Sequence, residues 1–310
     1  MEFANCSADI VIPFYNNWPA LSALSCEIQS WLNKYPLVKV FVVDDGSFEQ
    51  VDAQPSVFSS HARATLIRHP KNRGRAAACN TGIRAGGSEF VIFLDVDCIP
   101  QDDWLDSFFL GVHSGANCVF GNLRAEGQSY WSRYLNELYA KKARSYLKGS
   151  LDFGTPFCMF RRELLNHVGG FSEEYSRYGF EDRDLVQNLI NSVEINPLFL
   201  ADVYAVHSAP TSVESVLKKA SESGAFSARV FSRRFPDSYR KTGYWYLDAQ
   251  EHSALYNIPL AILWFLVDKN VFAVKTLMEK RALPYRAWKP LIKLSSGLAF
   301  FYGTSLEVRR

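Results

Sequence analysis

"LVKVFVVDDGS", residues 37–47, is an apolar run interrupted only by Lys39 that ends in two carboxylates, a glycine and a serine. Such runs form strands buried on both faces of a parallel sheet. The stretch therefore predicts a strand over Leu37–Val43 that carries Asp44, Asp45 and Gly46 at its tip. Upstream, "DIVIPF" (Asp9–Phe14) reads as a first strand, with Pro13 expected to end its ladder bonding. Between the two, Leu21, Leu24, Ile28, Trp31 and Leu32 share a helical face, and Pro19 suits a first turn. Downstream, "ATLIRH" is a third strand and "GRAAACNTGIRAG" (Gly74–Gly86) a helix. "EFVIFL" (Glu89–Leu94) is a fourth strand, ending in "DVD". This alternation is a wound α/β unit. In such sheets ligands bind beyond the carboxyl ends of the strands, which here are "PFYN", "DDGS", "RHPKNRG" and "DVD".

The second half is less regular. "CVFGNL" predicts another strand, and Ser129–Leu147 an amphipathic helix rich in aromatics. "GSLDFGTPFCMFRREL" is Gly-rich, then apolar, then basic. A polar loop runs into a helix near Glu181, and "LFLADVYAVHS" is a late strand ending in His207. From Pro210 the chain becomes helical and basic.

The 310 residues are 48% hydrophobic and 21% charged, which suits one large domain or a core with an appendage. A net charge of +2 argues against a nucleic-acid partner. Cys6, Cys26, Cys79, Cys98, Cys118 and Cys158 show no zinc spacing, and most lie in apolar runs, as free thiols of a reducing compartment do. The N-terminus does not read as a signal peptide. The longest apolar run, Ile258–Val267, is too short to span a bilayer.

Asp95 and Asp97 lie two apart, so on an extended tip they point the same way and repel unless a cation or proton joins them. Mg2+ or Mn2+ would join them, with phosphate oxygens completing the shell; a solvated turn is the bland alternative. Asp45 can accept from a nucleobase or ribose, or cap a turn; for Asp44 and Ser47 capping is the simpler reading. Arg73 or Arg75, beside a helix N-terminus, could hold an anion, or form a solvated basic loop. Glu181, Asp182 and Asp184 suit a helix start on dipole grounds alone, yet a displacement needs a base, and Asp182 could serve. His207 is either structural or, near a metal, a further ligand. No P-loop, no G-x-G-x-x-G after the first strand and no G-x-S-x-G elbow appear. What is left is a nucleoside diphosphate bound at the rim with one free carboxylate, which suits transfer of a group attached to that diphosphate.

At this point the sequence resembles family 2 of the inverting glycosyltransferases, over about residues 10–207. The resemblance is carried by "IVIPFYNN", "VVDDGS", "NRGRAAACNTGIRAGGSEFVIFLDVDCIP", "GTPFCMFRRELLNHVGGFSEEYSRYGFEDRDL" and "VYAVHS", in that order. It implies the α/β GT-A fold, a single Rossmann-like mixed sheet flanked by helices, with a helical C-terminal extension. Residues 1–209 would form the catalytic domain, its nucleotide-binding half about 1–100 and its acceptor half about 101–209, and 210–310 the extension. By the same resemblance Pro13 and Tyr15 would line the nucleobase pocket and Asp45 would read the base, usually uracil. Arg73 would lie near the phosphates, and Asp95 would contact the ribose or support the metal. Asp97 would be the principal ligand of Mn2+ or Mg2+, His207 a late metal ligand and Asp182 the catalytic base. The implied activity moves a sugar from a nucleoside-diphosphate donor to a carbohydrate or lipid-linked acceptor, with inversion. Its setting would be cytoplasmic cell-surface polysaccharide or lipopolysaccharide assembly. "GTPFC" and the rings of Trp131, Tyr134 and Tyr139 are acceptor-side candidates, with core packing the alternative. The basic, aromatic stretch within 210–310 would rest peripherally on the inner membrane or form a homo-oligomer face. A sugar nucleotidyltransferase, or a non-catalytic nucleotide-sugar-binding protein on the same fold, are the alternatives.

Overall fold

The computed structural model describes residues 6–48, 55–208, 212–269 and 283–306. The chain divides into two compact units. The first comprises Met1–Gln128, Leu135–Ser176 and Asp182–Ser208; the second comprises Ser129–Tyr134, Arg177–Glu181 and Ala209–Arg310.

The first unit is built on an eight-stranded mixed sheet. Strands β1 (Ala8–Phe14), β2 (Val38–Asp44), β3 (Ala64–Arg68) and β4 (Phe90–Leu94) come from the four apolar runs, with α1 (Trp18–Lys34), α2 (Val57–Ser60) and α3 (Arg75–Ala85) between them. They pair in parallel in the order β3-β2-β1-β4. The chain continues through β5 (Cys98–Pro100), α4 (Trp104–His113), β6 (Cys118–Arg124), α5 (Tyr130–Tyr146), β7 (Phe157–Arg161), α6 (Arg162–Val168), α7 (Glu181–Ser192) and β8 (Pro197–His207). The sheet is completed as β4-β7-β6-β8-β5, where only β6 and β8 pair in parallel. This is the mixed sheet flanked by helices that the resemblance implies.

Pro13 does not end its ladder: it stands in register with Val43, and Phe14 with Asp44. The Phe14 carbonyl accepts the Asp45 N–H at 2.8 Å, so residue 14 faces β2. Orientation alternates along a parallel strand, which turns the imide nitrogen of Pro13 away from β2, beyond the last β4 pair, Val11 with Phe93. No N–H is needed there. A continuous core of Ile10, Ile12, Val40, Val42, Ile92 and Leu94, with the rings of Trp104, Phe108 and Phe157, lies against this sheet. At the opposite end from the acidic tips, buried Asp9 accepts from Ser88 N–H (2.8 Å) and Oγ (2.7 Å) and pairs with Arg162 at 2.5 Å, which fixes the base of β1 to the chain entering β4 and α6.

The second unit is helical. Trp288, on the helix Tyr285–Ser305, is enclosed by Tyr130, Trp131, Tyr134 and Tyr285, with the Trp131 ring 4.8 Å away, centroid to centroid. Trp131 and Tyr134 are therefore packing residues, the alternative raised for them above. Among the described residues, no helix is long and apolar enough to cross a membrane.

Candidate active site

The tip of β2 is occupied from within. Asp44 Oδ1 accepts from Ser47 N–H (2.9 Å) and Oγ (2.6 Å), which caps the turn. Asp45 is 3% exposed. Its Oδ1 accepts from Arg73 N–H (3.0 Å) and lies 2.7 Å from His69 Nδ1; its Oδ2 accepts from Gly74 N–H (2.7 Å). Gly74 has φ +94, and a Cβ there would lie 2.8 Å from the Tyr175 carbonyl, so only glycine fits the seat. The loop Lys71–Gly74 is thereby sewn onto the strand end. A carboxylate has about four lone-pair sites, so base reading by Asp45 would use the remainder. Beside it, Tyr15 and the strongly exposed Phe48 meet edge to face at 6.0 Å, held by Phe48 N–H to Asn16 Oδ1 at 2.9 Å. Pro13 is buried in β1 behind them.

Arg75 opens α3 and forms the centre of a polar cluster. Its Nε and Nη2 donate to Asp95 Oδ1 at 2.9 and 2.7 Å. Its Nη1 donates to Asp182 Oδ1 at 2.8 Å and to Thr155 Oγ1 at 3.1 Å, and Nη2 also reaches the Thr155 carbonyl at 3.1 Å. The Thr155 hydroxyl donates to the same Asp182 oxygen. Asp182 Oδ2 faces Gly154, where an added Cβ would come within 3.5 Å. One carboxylate oxygen of Asp182 is thus clamped, while 28% of the side chain remains exposed. Burial raises the Asp95 carboxyl above the usual range; Arg75 opposes the shift, and the Asp97 and Asp182 charges add to it. Arg73, the expected phosphate contact, reaches Glu173 at 2.7 Å on the surface. The sequence motif offers Arg73 and Arg75 alike, and Thr155 lies within "GTPFC". The deciding signal, the helical phase that turns residue 75 inward, depends on where α3 starts.

"DVD" is not an extended tip. Cys98 N–H bonds to the Asp95 carbonyl at 2.9 Å, so the motif is a tight turn that leads into β5. The two aspartates accordingly serve different partners. Asp97 Oδ2 lies 3.5 Å from His207 Nε2, and His207 Nδ1 lies 2.6 Å from Tyr139 Oη. β5 pairs Cys98 directly with His207, which explains the meeting of two positions so distant in sequence. Asp97, His207 and Cys98 form a cluster whose ligand atoms lie within 4.8 Å of one another. The donor chemistry fits a divalent ion such as Mn2+ or Mg2+. Asp97 supplies carboxylate oxygen. In the tautomer whose Nδ1–H is given to Tyr139, His207 would present a lone pair at Nε2, oriented from behind as metal-binding imidazoles are. Burial, with the Asp95 and Asp97 charges, pushes the Cys98 thiol well up, and soft sulfur is a poor match for a hard cation.

Similarity to known proteins identifies the family. A sequence profile described as "Glycosyl transferase family 2" matches residues 9–169. A pre-mycofactocin glycosyltransferase of Mycobacterium tuberculosis is 30% identical over 59% of this chain and 39% of its own length. A chondroitin synthase of Pasteurella multocida is 26% identical over 84% of this chain and 30% of its own length. The chain thus spans about two fifths or less of these relatives. Among solved structures, a mannosyltransferase of Pyrobaculum calidifontis in complex with GDP-Man and Mn2+ superposes with a TM-score of 0.61 at 18% identity, over 96% of this chain and 88% of that one, a likeness of fold.

Proposed function

The chain belongs to glycosyl transferase family 2, and from that premise we propose that it moves a sugar from a nucleoside-diphosphate donor to a hydroxyl of a glycan or lipid-linked acceptor, inverting the anomeric centre. The observation that carries the reading is the seating of Asp182, one oxygen held by Arg75 and Thr155 while 28% of the side chain stays exposed. Asp182 Oδ2 takes the proton of the acceptor hydroxyl as that oxygen attacks the anomeric carbon. The bond to the donor's diphosphate breaks on the opposite face, so an α-linked donor gives a β-glycoside. Arg75 and Thr155 fix the carboxylate in the position the attack requires. Asp97 and His207 would hold Mn2+ or Mg2+, whose positive charge offsets the negative charge growing on the leaving diphosphate. Tyr15 and Phe48 offer rings to the base, with Asp45 at its edge, and Asp95 lies toward the ribose.

UDP is the first expectation for the donor, and the GDP-Man held by the Pyrobaculum enzyme makes guanine the second. Hydrolysis measured over UDP- and GDP-sugars separates them. The proposed setting is cell-surface polysaccharide or lipopolysaccharide assembly. In the second unit, Ile258, Ile262 and Phe265 are exposed on the helix Ala254–Lys269 and would carry the membrane or self-association contact expected of 210–310. Parts of that expectation, residues 210–211, 270–282 and 307–310, lie outside the described residues.

The test is Asp182→Asn. Turnover falls by roughly a thousandfold, while nucleoside diphosphate with Mn2+ binds as before. Near-normal turnover in the variant removes the base and with it the proposed reaction.

A further inference from the structure

A groove of about 450 Å³ opens next to Tyr139, lined among others by Asn122, Arg124, Glu126, Asn136 and Tyr204. Its floor is one face of the sheet. The β6–β8 register sets Asn122 opposite Tyr204 and Arg124 opposite Val206, and alternate strand residues share a face. The register breaks between Gly121 and Asn122, where Ala201–Val203 leave the ladder as a bulge. Asn122 Nδ2 ties that bulge by donating to the Ala201 carbonyl at 3.0 Å, while Asn122 Oδ1 accepts from Leu123 N–H. The other asparagine is equally spent, since Asn136 accepts from Ala125 N–H and donates to its carbonyl, both at 2.8 Å. Glu126, the acid of the lining, is engaged as well.

Arg124 is different. Its guanidinium carbon lies 3.7 Å from the centroid of the Tyr204 ring. Stacking fixes the plane of the fork and leaves its in-plane N–H donors for another partner. Among the described residues Arg124 forms no ion pair and no side-chain hydrogen bond. The lining therefore offers two aromatic rings, a set of internally satisfied amides and one pre-aimed cation. Rings cover the C–H faces of sugars, and a rigid guanidinium pairs bidentately with carboxylate or phosphate. Tyr139 joins this groove to the reaction centre, because it both lines the groove and bonds His207.

We propose that this groove is the acceptor subsite, and that it selects an acceptor bearing an oxyanion, the carboxylate of an acidic sugar or a phosphate, through the fork of Arg124. The proposal rests on the transferase reading above. The experiment titrates the full chain, saturated with Mg2+ and either UDP or GDP, with three probes: 4-nitrophenyl β-D-glucuronide, glucose 6-phosphate and 4-nitrophenyl β-D-glucoside. Binding is read by saturation-transfer NMR. At least one anionic probe binds about tenfold tighter than the neutral one, and Arg124→Gln removes roughly that factor. Nucleoside diphosphate affinity and thermal midpoint stay unchanged, and whichever anionic probe wins identifies the oxyanion. Equal binding of neutral and anionic probes, or anionic binding indifferent to Arg124→Gln, overturns the proposal. So does an equal loss of nucleoside diphosphate affinity, which would put Arg124 on the donor. If Arg124 dependence holds while Asp182→Asn leaves transfer intact, the groove stands and the catalytic reading falls. If Asp182→Asn abolishes transfer while anionic binding ignores Arg124→Gln, the catalytic reading stands and the groove falls.

Discussion

Asp44 and Asp45, at the end of β2, are 1% and 3% exposed, with Ser47, Arg68, His69, Arg73 and Gly74 around their oxygens. The side chains of Asp95 and Asp97, in the turn after β4, are 29% and 35% exposed and face Arg75 and His207. In sequence both are paired carboxylates at the end of an apolar run. The difference lies in what the chain does next. After β3 it folds back across the β2 tip and uses Asp45 as its anchor. After β4 it turns at once into β5, which leaves the carboxylates on the open rim and brings His207 alongside. A strand-tip carboxylate is largely committed to scaffolding when a neighbouring loop closes over it, with one lone-pair site left for a ligand, and keeps open surface for chemistry when none does.

That contrast can be broken by substitution. Asp97→Ala should have the largest effect: transfer falls by about three orders of magnitude and excess Mn2+ recovers little of it, while the thermal midpoint barely moves. A cooperative loss of folding in this variant would put the second pair with the first. Asp45→Asn should do the reverse, lowering unfolding free energy by about 3 kcal/mol, because it strips charge from one buried acceptor and turns an NH2 group toward donors. Denaturant titration measures it, and a midpoint equal to that of the parent protein would show that the three bonds are incidental. Tyr139→Phe should have the smallest effect, weakening Mn2+ binding by roughly tenfold, since it removes the partner that orients His207. Calorimetric titration with Mn2+ checks this; unchanged affinity would leave His207 without an orienting contact.

Much of the first unit was legible because its elements are locally determined. β1 to β4 are predominantly apolar runs, and the periodicity of α1 marks its buried face. β7 was harder. "FCMF" is short and follows a glycine- and proline-containing loop, and its place between β4 and β6 depends on antiparallel pairing that no local pattern encodes. β5, three residues long, is defined by its partner β8. The same limit governed the site. Asp97, His207 and Asp182 stood out as residue types at exposed-looking ends, and the structure gathers Asp97 with His207 and Asp182 with Asp95. That Arg75, rather than Arg73, would join Asp95 to Asp182 follows from helix phase and from Thr155 on a distant loop. The extended reading of "DVD" failed because a backbone hydrogen bond, invisible in composition, closes the turn. Arg124 carries no signal in the sequence, since an arginine on a strand gains meaning only from the tyrosine beneath it and the asparagines beside it.

The loop held by Asp45 also bears on the heat of nucleotide binding. Immobilising a residue's backbone costs about 1–2 kcal/mol in entropy, and Lys71–Gly74 incur that cost during folding, through Asp45 beneath and the Gly74 seat against Tyr175. A nucleoside diphosphate bound at this rim as proposed would meet an arm already ordered by folding. Calorimetry should therefore record little ordering entropy from this side of the cleft, and the association rate should be limited by diffusion and orientation rather than by closure of the loop.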